Sequence, residues 1–239
     1  GEKFVQYAIN LLHEYDQMCS ELSGSDNARQ LNIAGPSILL NPFVKALLPL
    51  NLINKYSASL DVQYEGDAVK RVVQGRAHLA IVTNEAKIDW QAAGLASVCL
   101  GRTLFKLAVS STHKLFKREK LSINDVLQFP FVCPSRSPFC GIERGKGSDG
   151  WQDKTYPRNI AFRAGDFQSL LTLVSEGMAI AYLPNISIKS NHLGTLTIKD
   201  FEYRYYEDIC LIYKPSIADG WVSQLVNHPS LVGLLSHSN

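Results

Sequence analysis

The sequence lacks most of what would tie a chain to a membrane, a metal or a disulfide scaffold. Its apolar runs are too short to span a bilayer. No basic segment precedes an apolar one near the start, so a cytosolic chain is expected, although a cleaved signal would leave no trace. The five cysteines (Cys19, Cys99, Cys133, Cys140 and Cys210) are odd in number, irregularly spaced and outside any CxxC, which argues against a disulfide framework or a zinc site. Six histidines lie scattered without an HxH or HExxH pair, so no metal is expected. There is no GxSxG or Walker loop, and the one GxGxxG spacing (Gly145, Gly147, Gly150) does not open an apolar helix, so no cofactor is expected. "GIERGKGSDG" (141–150) is glycine-rich, but neither Lys-Ser/Thr nor an apolar helix follows; it reads as a mobile loop. Charge of one sign is also missing: the net charge of +2 in 239 residues exerts no strong pull on nucleic acid. The basic stretch "HKLFKREK" (113–120) reads as a solvated turn.

What is present is an ordinary globular composition, 46% hydrophobic and 19% charged, with enough length for one large domain or two small ones. The chain begins at Gly1 inside a helical pattern, as a fragment or processed product would. In "GEKFVQYAINLLHEYDQMCSEL", apolar residues fall at Phe4, Ala8, Leu11, Tyr15, Met18 and Leu22, in alternating steps of four and three. That is a coiled-coil seam, with Ile9, Leu12 and Cys19 on a second flank. An amphipathic helix packed on its own domain is the alternative. "SGSDN" (23–27) then reads as a polar linker.

From Leu31 short apolar strands alternate with helices. Strands are expected at 31–35, 60–64 and 78–82, with helices at 42–56 and 67–75. Asn41-Pro42 resembles an N-cap with a first-turn proline. The order β-α-β-α-β implies a parallel sheet with helices on its faces. The same order returns with strands at 130–134, 158–162 and 179–183 and a helix at 166–177. Each half carries a Gly-Asp (66–67 and 165–166), an apolar helix, a closing glycine and a buried strand; Asp67 and Asp166 are expected to cap their helices. In "VSEGMAIAYLP" (174–184), Gly177 can take the left-handed conformation that ends a helix and turns the chain into a core strand. "TLFKLAVSS" (103–111) leads out of the first half and "DICLIYKP" (208–215) leads back, with a last helix at 221–235 that Pro229 can interrupt. Two α/β lobes joined by two crossings imply a cleft, with ligands beyond the carboxyl ends of the strands.

This organisation resembles the LysR-type transcriptional regulators, specifically their linker helix and effector-binding region. "GEKFVQYA" is similar to the segment where the family's winged helix-turn-helix passes into its dimerising linker helix. "LLPLNLINKYSASLDVQYEGDAVKRVVQGRAHLAIV" is similar to the first lobe, "SSTHKL…INDVLQFPFV" to the crossing into the second, and "VSEGMAIAYLP" to the run near its end. The resemblance covers nearly the whole chain. It departs at His78, where an acidic residue is usual, at a longer stretch after Ile33, and at 135–157, glycine-rich where a helix is expected.

The resemblance implies an α/β fold of two Rossmann-like lobes of the type 2 periplasmic-binding-protein architecture, joined by two crossover strands and preceded by a linker helix. The expected division is 1–23 for the linker, 30–109 with 213–239 for the first lobe, and 110–212 for the second. It implies a cytoplasmic homodimer or homotetramer that binds a small effector, a small organic anion being favoured. Operator DNA would be met only through a helix-turn-helix domain that this chain lacks. A solute-binding protein for transport shares the architecture, a cysteine-based redox sensor is a second alternative, and an enzyme would need a nucleophile or acid–base pair in the cleft, where none stands out.

On the first lobe the candidate effector contacts are Pro36, Ser37 and Asn41 after the first strand, Glu65 after the second, and Thr83 and Asn84 after the third. Hydroxyl and amide groups there can donate to an anion beside a helix N-terminus, although capping alone also accounts for them. On the second lobe they are Ser135, Arg136, Ser137 and Phe139, with Phe167 at the next helix start. Arg136 offers a fork for a carboxylate and Phe139 a cover for an apolar ring. Arg102, before the outgoing strand, is a further candidate. Cys133 is expected to be buried and inert, while Cys140 sits in a loop near Arg136 and Arg144.

Overall fold

The computed structural model describes residues 29–53, 56–83, 93–218 and 222–235, together with Phe4, Tyr7, Ala8, Leu11, Tyr15 and Met18. Those six are helical, and Phe4, Tyr7, Leu11, Tyr15 and Met18 are exposed. The rest of the expected seam and its second flank lie outside the described residues.

In chain order the elements are β1 (Arg29–Gly35), α1 (Ser37–Leu47), β2 (Tyr56–Val62), α2 (Glu65–Val73), β3 (Leu79–Thr83), β4 (Ala96–Val109), α3 (Ile123–Leu127), β5 (Pro130–Pro134), β6 (Asn159–Ala164), α4 (Phe167–Ser175), β7 (Ala181–Pro184), α5 (Asn185–Ser190), β8 (Gly194–Thr195), β9 (Tyr206–Tyr213), α6 (Pro215–Ala218) and α7 (Ser223–Val226). They fall into two compact units, 1–101 with 209–234 and 102–208 with 235–239.

In the first unit β1 pairs in parallel with β2 and with β3, and β3 pairs antiparallel with β9. Leu31, Ile33, Leu79 and Ile81 are fully buried, as expected for strands covered on both faces. The helix expected at 42–56 starts earlier, at Ser37, with Pro36 as its N-cap. Asn41-Pro42 mimics a helix start, yet Pro42 lies inside the helix. Burial of Ile38, Leu39, Leu40, Phe43 and Leu47 outweighs the hydrogen bond that the proline removes. α2 likewise begins at Glu65, so Asp67 sits within its first turn and pairs with Lys70 instead of capping. β2 lies at 56–62, ahead of the expected 60–64, because its whole length registers with β1.

In the second unit β5 and β6 are parallel, and β4 pairs antiparallel with β7 and β8. A bridge from Phe131 to Ile180 ties β5 to the residue before β7. Asp166 caps α4 as expected, accepting from the Ser169 N–H at 2.8 Å. Gly177 follows α4 at φ 72°, and the chain turns through it into β7, whose four residues are all buried. Leu170, Leu171 and Val174 of α4 pack with Val132, Ala181 and Leu183 in one core cluster. The helix expected at 221–235 is interrupted near Pro229, as the sequence allows: α7 ends at Val226, and a 3-10 turn at Pro229–Leu231 follows an extended His228. Pro229 cannot continue an α-helical ladder.

Candidate functional site

On the first unit the candidate residues gather at the carboxyl ends of the parallel strands. Pro36 closes β1, and Ser37 is the first residue of α1. Asn41 is exposed one turn further along, inside the helix and not in the loop before it. Glu65, the first residue of α2, is fully buried. Its Oε1 accepts from the Thr83 N–H at 2.5 Å and from the Thr83 hydroxyl at 2.6 Å. One carboxylate thus ties the start of α2 to the end of β3. Asn84 lies outside the described residues.

Among the described residues, α1, α2 and α4 differ at their N-termini. α2 has Glu65 and Asp67 in its first turn, and α4 is capped by the Asp166 carboxylate. α1 has no side-chain cap and no acidic residue in its first turn. A helix start without a capping side chain or a first-turn acid is an environment that a bound anion favours.

On the second unit Ser135 continues the sheet edge, its N–H donating to the Ala164 carbonyl at 2.8 Å. Arg136 is exposed and Ser137 buried. The Ser137 hydroxyl accepts from the N–H groups of Phe139 and Cys140, both at 3.4 Å. Phe139 is buried edge-on to Phe105, with ring centroids 6.1 Å apart. Phe167 packs partly buried on the core cluster. Arg102 is held by Asp208 through a two-pronged ion pair.

The segment expected to be a mobile loop is instead anchored by a buried ion cluster. The Arg158 side chain is wholly buried. Its Nη1 and Nη2 donate to Asp149 at 2.7 and 3.1 Å, and its Nε and Nη2 donate to Asp153 at 3.0 and 3.1 Å. The guanidinium also lies over the rings of Phe131 and Trp151, at 5.5 and 5.1 Å. Trp151 stacks on Phe201, and its indole N–H donates to the Tyr156 carbonyl at 2.8 Å. Ser148 and Asp149 are buried in consequence.

Burial, with Asp149 nearby, pushes the Cys133 thiol up to about 12. A thiolate is the reactive form, so Cys133 should resist alkylation at pH 8 in the folded chain and react only on unfolding. Mass spectrometry after iodoacetamide treatment, native against urea-unfolded, checks this. The His78 Nδ1 accepts from the Asn32 N–H at 2.9 Å, an acceptor role a carboxylate can also fill.

The Asp166 carboxyl is held below the usual carboxylate range by the Ser169 hydroxyl and then by the Ser169 N–H. A depressed folded value means that its contribution is present above the unfolded value, about 3.9, and fades as pH falls through the folded one. Asp166→Ala should therefore differ most from the parent near neutrality, and the two should converge in acid. Urea titrations at a series of pH values measure the convergence.

Among the described residues, no group of three His, Cys, Asp or Glu gathers as a metal site, and no helix is long and apolar enough to cross a membrane.

A family model described as LysR substrate binding domain matches residues 25–219. Among solved structures, CbnR, a LysR family transcriptional regulator, is similar over 95% of this chain and 78% of its own, at 15% identity and a TM-score of 0.61. Full-length CbnR complexed with its target DNA is similar over 97% and 79%, at 16% identity and 0.60. The reduced regulatory domain of OxyR2 from Vibrio vulnificus is similar over 89% and 97%, at 17% identity and 0.56. No curated protein matches the sequence. At these identities the likeness to solved structures bears on the fold.

Proposed function

Because this chain belongs to the LysR substrate binding domain family, whose model spans most of it, we propose that it senses a small organic anion and passes its preference to an operator-binding domain. It is an effector-binding regulatory domain with the family's type 2 periplasmic-binding-protein-like fold. The anionic character rests on one observation: α1 alone, among the longer helices described, starts without a side-chain cap or a first-turn acid. Ser37 stands at that start, where its hydroxyl and the first N–H groups of α1 suit a carboxylate or a similar anion. Pro36 sets the entry angle of the helix, while Thr83 and Glu65 hold the neighbouring edge. Arg136, exposed after β5, supplies positive charge on the second unit.

The effector signals only if it favours one arrangement of the domain over another; equal affinity for both would transmit nothing. The exposed helical residues Phe4, Leu11, Tyr15 and Met18 suit a dimer in which a second copy covers them, in a cytoplasmic regulator. Operator DNA is met through a helix-turn-helix domain joined to that helix. No catalytic role is assigned.

A thermal-shift screen with succinate, benzoate, glutamate and sulfate tests this reading. A saturable rise in melting temperature is expected with at least one anion. Ser37→Ala should weaken the response about ten-fold in concentration, the loss expected of one or two charge-assisted hydrogen bonds. A response that ignores both Ser37→Ala and Arg136→Ala would remove these residues from the site.

A further inference from the structure

The chain leaves the first unit for the second at residues 101/102 and re-enters the first at 208/209. β4 and β9 run through those steps without a break. Arg102 is the first residue of the second unit on β4, and Asp208 is its last on β9. Their side chains meet there: Nε donates to Oδ1 at 2.6 Å and Nη2 donates to Oδ2 at 3.0 Å. Each prong of the guanidinium fork takes one carboxylate oxygen, the geometry in which an arginine pair is strongest. Three residues along β4, the Phe105 N–H donates to the Tyr205 carbonyl at 2.9 Å, so the two segments stay in register beyond the pair. Immediately before Arg102, Gly101 sits at φ 132°, where residues with a side chain are strained. The point of greatest backbone freedom on β4 thus adjoins the point at which a side chain ties β4 to β9.

The pair is exposed, 63% for Arg102 and 39% for Asp208. An exposed pair of this kind shifts an equilibrium by no more than about five-fold and is screened by salt. That is too little to hold a domain together, but enough to bias two states that lie close in free energy.

We propose that Arg102 and Asp208 are positioning residues forming a latch across the two joining strands, and that the latch biases the arrangement to which the effector responds. The proposal rests on the effector-sensing reading above and adds to it a named regulator of that response. Arg102 acts through Asp208 and not by holding the anion. A latch that favours one setting of the strands enters the effector's apparent affinity as a fixed factor, whichever anion is bound.

Hydrogen exchange on this chain reads the latch without any effector. Asp208→Asn and Arg102→Gln each remove the charge pair while keeping the side chain's bulk. Each should speed exchange of amides 103–106 and 206–209 by up to about five-fold and leave β3 and β7 unchanged. The double exchange Arg102→Asp with Asp208→Arg should bring the rates back towards the parent, and 1 M NaCl should make the parent resemble the single variants. Unchanged amides at the joining strands, equal acceleration in β3 and β7, or no recovery in the double exchange would overturn the latch. With succinate or benzoate as probe, the concentration for half the rise in melting temperature should move by the same factor in both single variants. A much larger loss in Arg102→Gln than in Asp208→Asn would instead make Arg102 an anion contact and overturn the positioning role. If no anion stabilises the parent, the effector reading fails, while the exchange data still decide the latch.

Discussion

Arg158→Met is expected to destabilise the chain by about 3–5 kcal/mol, because it strands two buried carboxylates. Arginine at this position is wholly buried and donates four hydrogen bonds to two carboxylates that are themselves almost fully buried. Methionine fills much of the volume but leaves Asp149 and Asp153 facing each other without a cation. For a domain of this size the loss corresponds to a fall of about 6–20 °C in melting temperature. Arg158→Lys should recover only part of it, because an ammonium cannot present two forks at once. Adding Asp149→Asn and Asp153→Asn to Arg158→Met should recover more, since the cost comes from the stranded charges and not from the absent salt bridge. Urea unfolding followed by circular dichroism gives all three values. A triple variant no better than Arg158→Met would show that the rings of Phe131 and Trp151, and not the carboxylates, are what Arg158 supports.

The second large effect is expected at Glu65→Ala, at about 2–4 kcal/mol. The change removes the acceptor of two short hydrogen bonds from Thr83 in a fully buried place. Glu65→Gln keeps one acceptor oxygen and should cost less than half as much. Glu65→Asp shortens the reach by a methylene and should behave more like alanine. Thr83→Val, which removes only the hydroxyl, separates the two bonds. A Glu65→Ala chain as stable as the parent would contradict the role given to this carboxylate in fixing the edge of the first unit.

The alternation of strands and helices was legible because each strand is a short apolar run closed by a turn residue. β5 falls at 130–134 as expected, and Asp166 and Gly177 bound α4 as their chemistry implies. α1 was misplaced for a local reason. Asn41-Pro42 has the look of a helix start, while the true start, Pro36-Ser37, is equally compatible with a turn; only burial of Ile38, Leu39 and Leu40 distinguishes them. The family resemblance, carried by motif order, made the functional class legible where composition and charge did not.

The Arg158 cluster was not legible, and the reason is physical. Charged residues among glycines are solvated in most loops, and a wholly buried arginine is rare. The available signal was aromatic: Trp151 and Tyr156 stand among the charges, and side chains of that size seldom stay in water. Their burial against Phe201 draws the neighbouring charges inward, and Arg158 neutralises Asp149 and Asp153 there only in part. The pairing of Glu65 with Thr83 was half visible. Both residues stand at strand ends in the sequence pattern, but nothing local in the sequence brings together groups 18 residues apart.

The proposed seat of the anion is the uncapped start of α1. The most direct measurement is a nitrogen–proton correlation spectrum of the labelled chain, titrated with whichever anion raises its melting temperature. Saturable shifts at the Ser37 and Ile38 amides, lost in Ser37→Ala at the same anion concentration, are the predicted result. A titration that saturates elsewhere, with those two amides unmoved, would contradict the account.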